Sequence, residues 1–301
     1  MAPALRPRLP EWLRRPLTAR SAEKTHAILS GHRLNTVCES AVCPNRNECY
    51  SHHTATFMIL GDVCTRSCGF CAIKTGRGQT VEADEPERVA SAAAQMGLRY
   101  VVVTSVARDD LADEGAHHFA ETIRALARMI PGVKIEVLTP DFHARRELIA
   151  EVAGAGPDVF NHNIESIRRL QSRIRPQAKY ERSLEVLRLV KELRPGILTK
   201  SGIMLGLGET REEVLETAAD LRAQGVDILT LGQYLPPSMD HLPLLQYVTP
   251  ETFRQMGEEI RALGFREVFS GPYVRSSYHA GETFLNAEAP ALPEPGVGLN
   301  Q

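Results

Sequence analysis

Three cysteines within eight residues, Cys64-Thr65-Arg66-Ser67-Cys68-Gly69-Phe70-Cys71, are the side chains in this chain best placed by spacing to do chemistry. They follow an apolar run, Phe57-Met58-Ile59-Leu60, that reads as a strand, so a tight loop would present three thiolates to one small metal centre. Thiolates are the usual ligands of iron–sulfur clusters. Three protein ligands where four would close the site leave one metal position open, which by analogy with zinc points to catalysis. A zinc knuckle would need a fourth Cys or His at close spacing, and none follows Cys71 nearby. Three buried free cysteines are the other alternative. Crowding three of the chain's six cysteines into eight residues argues against it.

A second triplet, Cys38, Cys43 and Cys49, precedes the first, and no cysteine follows Cys71. Two triplets imply two metal sites. A disulfide scheme would require an oxidising compartment. The opening stretch MAPALRPRLPEWLRRPL lacks the apolar core of a secretory signal. It is Arg-rich and acid-poor, which leaves an organellar presequence open, but its prolines and Glu11 before Trp12 fit a segment lying on the protein body. The cytoplasm is the expected compartment, where clustered cysteines mean metal.

With 301 residues, 43% hydrophobic and 24% charged, the chain has the composition of a soluble globular protein. A formal net charge of −2 gives no reason to expect nucleic acid or an anionic membrane surface as partner. No apolar run approaches the roughly 18 residues needed to cross a bilayer.

The elements that must position the cysteines alternate in type. Residues 1 to about 55 show little periodicity and several prolines, and are expected to wrap the body and carry the first triplet on a loop. Beyond Phe57, apolar runs predict strands at Tyr100 to Val103, Val133 to Leu138, Asp158 to Phe160, Ile197 to Leu205, Asp227 to Leu231 and Arg266 to Phe269. Helical spacing separates them: Phe119, Ile123, Leu126 and Ile130 run to Pro131-Gly132, and Thr210 with Glu213 forms a capping box. Six or so β-then-α units predict an α/β fold, a partial (β/α)6 TIM-like barrel with N- and C-terminal extensions; an open doubly wound sheet is the alternative.

Both architectures bind ligands at the C-terminal ends of their strands. There the sequence places Thr104 to Asp110, Thr139-Pro140-Asp141, Lys200-Ser201-Gly202 and Gln233-Tyr234. Asn161, Asn163 and Glu165, spaced two apart, point the same way from an extended segment. Gly206 and Gly208 would let backbone approach a ligand, without forming a dinucleotide fingerprint. Arg168, Arg169, Arg173 and Arg175 could grip a carboxylate or form a solvated face. His52, His53, His117 and His118 are assigned to surface or capping roles, none to metal. Asn163, Glu165, Arg175 and Lys200 are the candidate cofactor contacts.

Cys64-x3-Cys68-x2-Cys71 resembles the motif of radical S-adenosylmethionine enzymes, a superfamily built on partial (β/α)6 barrels. Leu34-Asn35-Thr36-Val37-Cys38, then Cys43-Pro44-Asn45-Arg46 and Cys49, is similar to the second cluster motif of lipoyl synthases. So are Ala55-Thr56-Phe57-Met58-Ile59-Leu60-Gly61 and Arg275-Ser276-Ser277-Tyr278-His279-Ala280, so the resemblance runs from about residue 34 to 280. Tyr50 stands where the family has Trp, and Gly78 where it usually has Pro; neither is a ligand.

The resemblance implies two 4Fe–4S clusters and S-adenosylmethionine. Cys64, Cys68 and Cys71 would hold the cluster whose open iron binds the methionine end of S-adenosylmethionine and, once reduced, yields a 5′-deoxyadenosyl radical. Cys38, Cys43 and Cys49 would hold an auxiliary cluster that donates sulfur. Its fourth ligand is carried onto Ser277, with Ser276 as the alternative; a hydroxyl on iron is more easily lost than a thiolate. The implied substrate is an octanoyl group on a lipoyl carrier domain, from a 2-oxoacid dehydrogenase E2 subunit or the glycine cleavage H protein, gaining sulfur at C6 and C8. An electron donor such as ferredoxin or flavodoxin and a cluster-repair carrier are the other implied partners. Three units follow: an extension with auxiliary ligands at 1–55, the barrel at 56–270, and a C-terminal extension with the serine ligand at 271–301. A methylthiotransferase would be expected to add a further binding domain, and a zinc-bound structural protein would be colourless rather than brown.

Overall fold

The computed structural model describes residues 8–14, 22–51 and 55–288. Its organising element is a sheet of eight strands: β1 (Asn35–Thr36), β2 (Thr56–Ile59), β3 (Tyr100–Ser105), β4 (Lys134–Leu138), β5 (Val159–Asn161), β6 (Leu198–Leu205), β7 (Ile228–Gln233) and β8 (Glu267–Gly271). Spatial order equals chain order, with β2 through β8 all parallel and β1 added antiparallel to β2. A doubly wound sheet would reverse its order part-way, and this one does not. Among the described residues β1 and β8 are the two edges of the sheet and do not pair with each other, so the barrel is partial.

Among the described residues three α-helices precede the barrel: α1 (Ala22–Gly31), α2 (Val37–Ser40) and α3 (Arg46–Ser51). Those between parallel strands are α4 (Glu85–Gln95), α5 (Ala116–Met129), α6 (Arg146–Gly154), the short α7 (Gln171–Ile174), α8 (Tyr180–Leu193), α9 (Arg211–Ala223) and α10 (Pro250–Arg261). One long helix follows each of the first six parallel strands, giving six β-then-α units and a seventh parallel strand. Val101, Val102 and Val103 are buried, as strands covered by helices on one face and a packed lumen on the other must be. The local signals act as expected: Pro86 sits in the first turn of α4, and Thr210 and Glu213 cap α9 reciprocally. α11 (Ala280–Glu288) sets Phe284 among Tyr100, Val159, Leu198 and Ile228, all at the N-terminal ends of their strands, and so covers that end of the barrel.

The extension differs from expectation. Cys38 lies in α2 and Cys49 in α3, with only Cys43 in the turn between them. Thr36 caps α2 by accepting the Glu39 N–H at 3.3 Å, and the helices are too short to leave a periodic signal. Tyr50 is buried and its hydroxyl pairs with Thr36 Oγ1 at 2.8 Å, so this departure from the family pattern braces α2 against α3. Among the described residues no helix is long and apolar enough to cross a membrane.

Candidate active site

The Cys64 loop leaves the C-terminal end of β2 and is tied down from four sides. Cys64 Sγ accepts the backbone N–H groups of Arg66 and of Ala107, beyond the end of β3, at 3.4 and 3.3 Å. Gly69 donates its N–H to the Ile174 carbonyl and accepts one from Leu242, at 2.9 and 3.0 Å. His241 Nε2 donates to the Cys71 carbonyl at 3.1 Å. Arg66, buried within the loop, forks onto Asp109 at 2.6 Å and Asp141 at 2.8 Å. Burial alone would push the Asp141 carboxyl up; the hydrogen bond and charge of Arg66 outweigh it and hold the group well below the usual carboxylate range. The fork anchors the loop to the ends of β3 and β4.

Burial pushes the thiols of Cys68 and Cys71 up, Cys71 to about 12, with the neighbouring thiols adding to it and Arg175 pulling Cys68 back. Three soft, crowded, partly buried sulfurs are a donor set that a metal stabilises by replacing their protons.

Facing this loop, the strand ends carry an unusual set of polar atoms. Ser105 Oγ, Thr139 Oγ1, Asn161 Oδ1, Asn163 Oδ1 and Ser166 Oγ are buried with no hydrogen-bond partner among the described residues. Buried polar atoms are nearly always paired, so five orphans at the ends of β3, β4 and β5 outline a cradle for a polar ligand. Glu165 stands beside them in the left-handed region, φ +67°, fixed there by its N–H on the Gly202 carbonyl and by the Met204 N–H on its own carbonyl, both 2.9 Å. Such strain in a non-glycine residue persists where the surroundings impose it, and it gathers at ligand sites. Burial pushes the Glu165 carboxyl up, while Arg175 and a 3.1 Å hydrogen bond from Asn163 pull it down. Arg175 is buried, its Nη1 donates to the Asn163 carbonyl at 2.8 Å, and its charge is felt by both Cys68 and Glu165.

The first triplet builds a separate place. Cys38, Cys43 and Cys49 line one cavity together with Asn45, Arg275 and Ser277. Burial, with a smaller contribution from Cys43, pushes the Cys38 thiol up to about 11. Ser276 takes another direction: its Oγ accepts from Asn163 Nδ2 at 2.6 Å and its carbonyl from Lys200 Nζ at 2.6 Å. The two ends of the chain are stitched here by Asn45 Nδ2 on the Tyr273 carbonyl at 2.8 Å and by the Tyr278 hydroxyl on Glu48 at 3.0 Å.

Residues 58–221 match the Radical SAM superfamily. The lipoyl synthase of Rubrobacter xylanophilus is 58% identical over 268 residues, covering 89% of this chain and 84% of that protein. That of Thermus thermophilus is 54% identical over 281 residues, covering 92% and 87%. The chain belongs to the lipoyl synthase family. It is a radical S-adenosylmethionine sulfurtransferase, and the lipoyl synthase family works with two 4Fe–4S clusters and S-adenosylmethionine. Solved structures share the fold at far lower identity. Methylornithine synthase gives a TM-score of 0.55 at 13% identity, covering 83% of this chain and 72% of that one. Streptococcus suis SuiB bound to its precursor peptide gives 0.56 at 12%, this chain spanning 83% of itself and about half, 52%, of SuiB.

For a lipoyl synthase family member the donor sets fit: two groups of three thiols, one facing a cradle of unpaired polar atoms and one sharing its cavity with Ser277. Lys200 departs from its expected place at the cofactor. It is buried, and its three donors are spent on both Glu136 oxygens and the Ser276 carbonyl. The β6–α9 turn needs its glycine for the protein's own packing: a Cβ at Gly206 would meet the Gln246 carbonyl at 2.5 Å, and Glu209 accepts the Gly206 and Leu207 N–H groups. Of the arginine cluster, Arg168 pairs with Glu181 and Asp220, Arg169 with Glu213, and only Arg175 turns inward. His117 pairs with Glu151 at the surface; His118 is buried against Glu85 at 2.7 Å. His52 and His53 lie outside the described residues. The sequence reading missed Arg66, Asn45, His241 and Glu136. Only Glu136 left a signal, a carboxylate inside an apolar strand with Lys200 inside another.

Proposed function

We propose that the chain converts an octanoyl group, amide-linked to a lysine of a lipoyl carrier domain, into a lipoyl group by inserting sulfur at C6 and C8. The observation that carries this reading is the second cavity, where Cys38, Cys43 and Cys49 meet Ser277 apart from the Cys64 loop. When bound, the reduced cluster with S-adenosylmethionine supplies the hydrogen-atom abstractor and the auxiliary cluster supplies sulfide. The residues do the rest. Cys64, Cys68 and Cys71 would hold the cluster through three thiolates, with no fourth protein ligand in the loop. Glu165 offers negative charge to the ammonium, and Arg175 positive charge to the carboxylate, of the methionine end. Asn163, with its Oδ1 unpaired, supplies a neutral acceptor. Ser277 completes the auxiliary set with an oxygen that binds iron less firmly than sulfur does.

Carrier domains of 2-oxoacid dehydrogenase E2 subunits and the glycine cleavage H protein fit the substrate class, a ferredoxin or flavodoxin fits the electron demand, and a cluster-repair carrier fits a site that loses sulfide. Six cysteines with no disulfide among them fit the reducing cytoplasm. The division into 1–55, 56–270 and 271–301 follows the same roles.

Glu165→Ala is expected to weaken S-adenosylmethionine binding about tenfold to a hundredfold, the worth of a charge-assisted hydrogen bond, with iron content unchanged. Equilibrium binding under anaerobic conditions measures this, and an unaltered affinity removes Glu165 from the site. Ser277→Ala is expected to leave S-adenosylmethionine cleavage in place and to lower sulfur insertion into an octanoyl-lysine peptide about a hundredfold, whereas Ser276→Ala keeps insertion. The reverse pattern would make Ser276 the ligand.

A further inference from the structure

The barrel lumen holds an ion pair that the reaction chemistry does not call for. Glu136 on β4 and Lys200 on β6 have side chains only 1% exposed, with Nζ–Oε distances of 2.9 and 3.0 Å. Glu136 also accepts from the Tyr100 hydroxyl at 2.7 Å and from Asn161 Nδ2 at 3.0 Å, so its carboxylate is fixed by donors from β3, β5 and β6. Burying two charges costs desolvation, and a well-packed apolar pair would serve stability at least as well. What the pair does that an apolar pair could not is direct a third N–H bond. That bond ends on the Ser276 carbonyl at 2.6 Å, a residue 76 positions further along the chain.

We propose that Lys200, held by Glu136, is a positioning residue for the auxiliary site: by fixing the Ser276 carbonyl it aims the adjacent Ser277 side chain into the cavity of Cys38, Cys43 and Cys49. This rests on the reading of Ser277 as the fourth ligand. Fixing that carbonyl fixes the peptide plane between the two serines, and with it the direction from which the Ser277 Cα presents its hydroxyl. The surroundings are shaped to the same end. Asn163 Nδ2 holds Ser276 Oγ at 2.6 Å. A Cβ at Gly202 would lie 2.9 Å from Asn163 Oδ1 and 3.2 Å from Ser276 Oγ; one at Gly232 would lie 2.1 Å from the Val274 carbonyl. Both positions let the C-terminal segment lie against β6 and β7. From the opposite side Asn45 holds the Tyr273 carbonyl. The chemistry gives a reason for so firm a grip. A hydroxyl competes poorly with thiolate for iron, so its hold depends on being delivered in place.

The test uses the full-length protein with both clusters reconstituted. Lys200→Met combined with Glu136→Gln removes both charges together, leaving neither buried alone. Gly232→Ala displaces the same segment from β7 without touching a charge. Ser277→Ala is the reference. Mössbauer spectra read the oxygen-ligated iron of the auxiliary cluster, and a chelator reads iron release. Both perturbations are expected to erase the oxygen-ligated iron signal and speed auxiliary iron release about tenfold, as Ser277→Ala does, with S-adenosylmethionine affinity changed by no more than about twofold. If Ser277→Ala leaves the spectrum unaltered, the ligand reading fails. If Ser277→Ala alters it and the other two variants do not, the positioning role is overturned. Weakened S-adenosylmethionine binding with an intact auxiliary spectrum overturns it too, by assigning Lys200 to the cofactor. Should the double variant lose the iron of both clusters through misfolding, Gly232→Ala decides, and an unchanged spectrum there rejects the proposal.

Discussion

Cys68→Ala is expected to abolish S-adenosylmethionine cleavage, by more than about a thousandfold, while the protein still binds about four iron atoms. The loop offers three sulfurs, and two cannot hold a cubane cluster with one corner left open for the cofactor. Cys68 is also the thiol on which both Arg175 and Glu165 act, so its loss uncouples the metal corner from the charges proposed to hold the methionine end. The rest of the fold should tolerate the change. The Cys64 loop is tied by backbone bonds of Gly69, Cys71 and Gly76 and by the Arg66 fork, none of which uses the Cys68 sulfur. The auxiliary cavity is lined by no residue of this loop, so its iron stays. Iron and sulfide analysis with an anaerobic cleavage assay checks this. Iron falling to zero would show that the two places are not independent.

Cys43→Ala should do the opposite: S-adenosylmethionine is still cleaved, within about threefold of the unmodified rate, and sulfur insertion is lost. Cys43 sits in the turn between α2 and α3, where its N–H bonds the Cys38 carbonyl at 3.2 Å and its carbonyl accepts from Arg46. Removing its sulfur therefore leaves the turn's backbone bonds intact. No other thiol can replace it, because all six cysteines belong to the two triplets. Product analysis by mass, run beside the cleavage assay, is the measurement. Insertion persisting in this variant would mean that the sulfur comes from elsewhere.

How much of this was legible in the sequence depended on the range of each interaction. The Cys64 loop was readable because eight consecutive residues carry the whole donor set, and the strand ends because apolar runs mark where strands stop. Asn163 and Glu165 were legible by alternation, yet the left-handed turn at Glu165 was not, because it is imposed by Gly202 and Met204 on a neighbouring strand. Arg66 was invisible as a structural residue, since its partners lie 43 and 75 positions away. Lys200 was misplaced for a related reason. Its position near a strand end suggested the cofactor, but which strands face one another across a lumen is set by closure of the sheet, and only that brought Glu136 and Ser276 to it. The helices carrying Cys38 and Cys49 escaped notice because four and six residues are too few to show a period.

On the proposed function, this chain itself carries the sulfur it inserts, at the site of Cys38, Cys43, Cys49 and Ser277. The direct measurement is to reconstitute the protein with heavy-isotope sulfide and supply octanoyl-lysine peptide, S-adenosylmethionine and reductant. The reaction is run anaerobically in excess unlabelled sulfide and the product mass is read. Both sulfurs of the first lipoyl product should be heavy, and each chain should stop after about one product unless the site is rebuilt. Light sulfur in that first product would contradict the claim and make the external pool the donor.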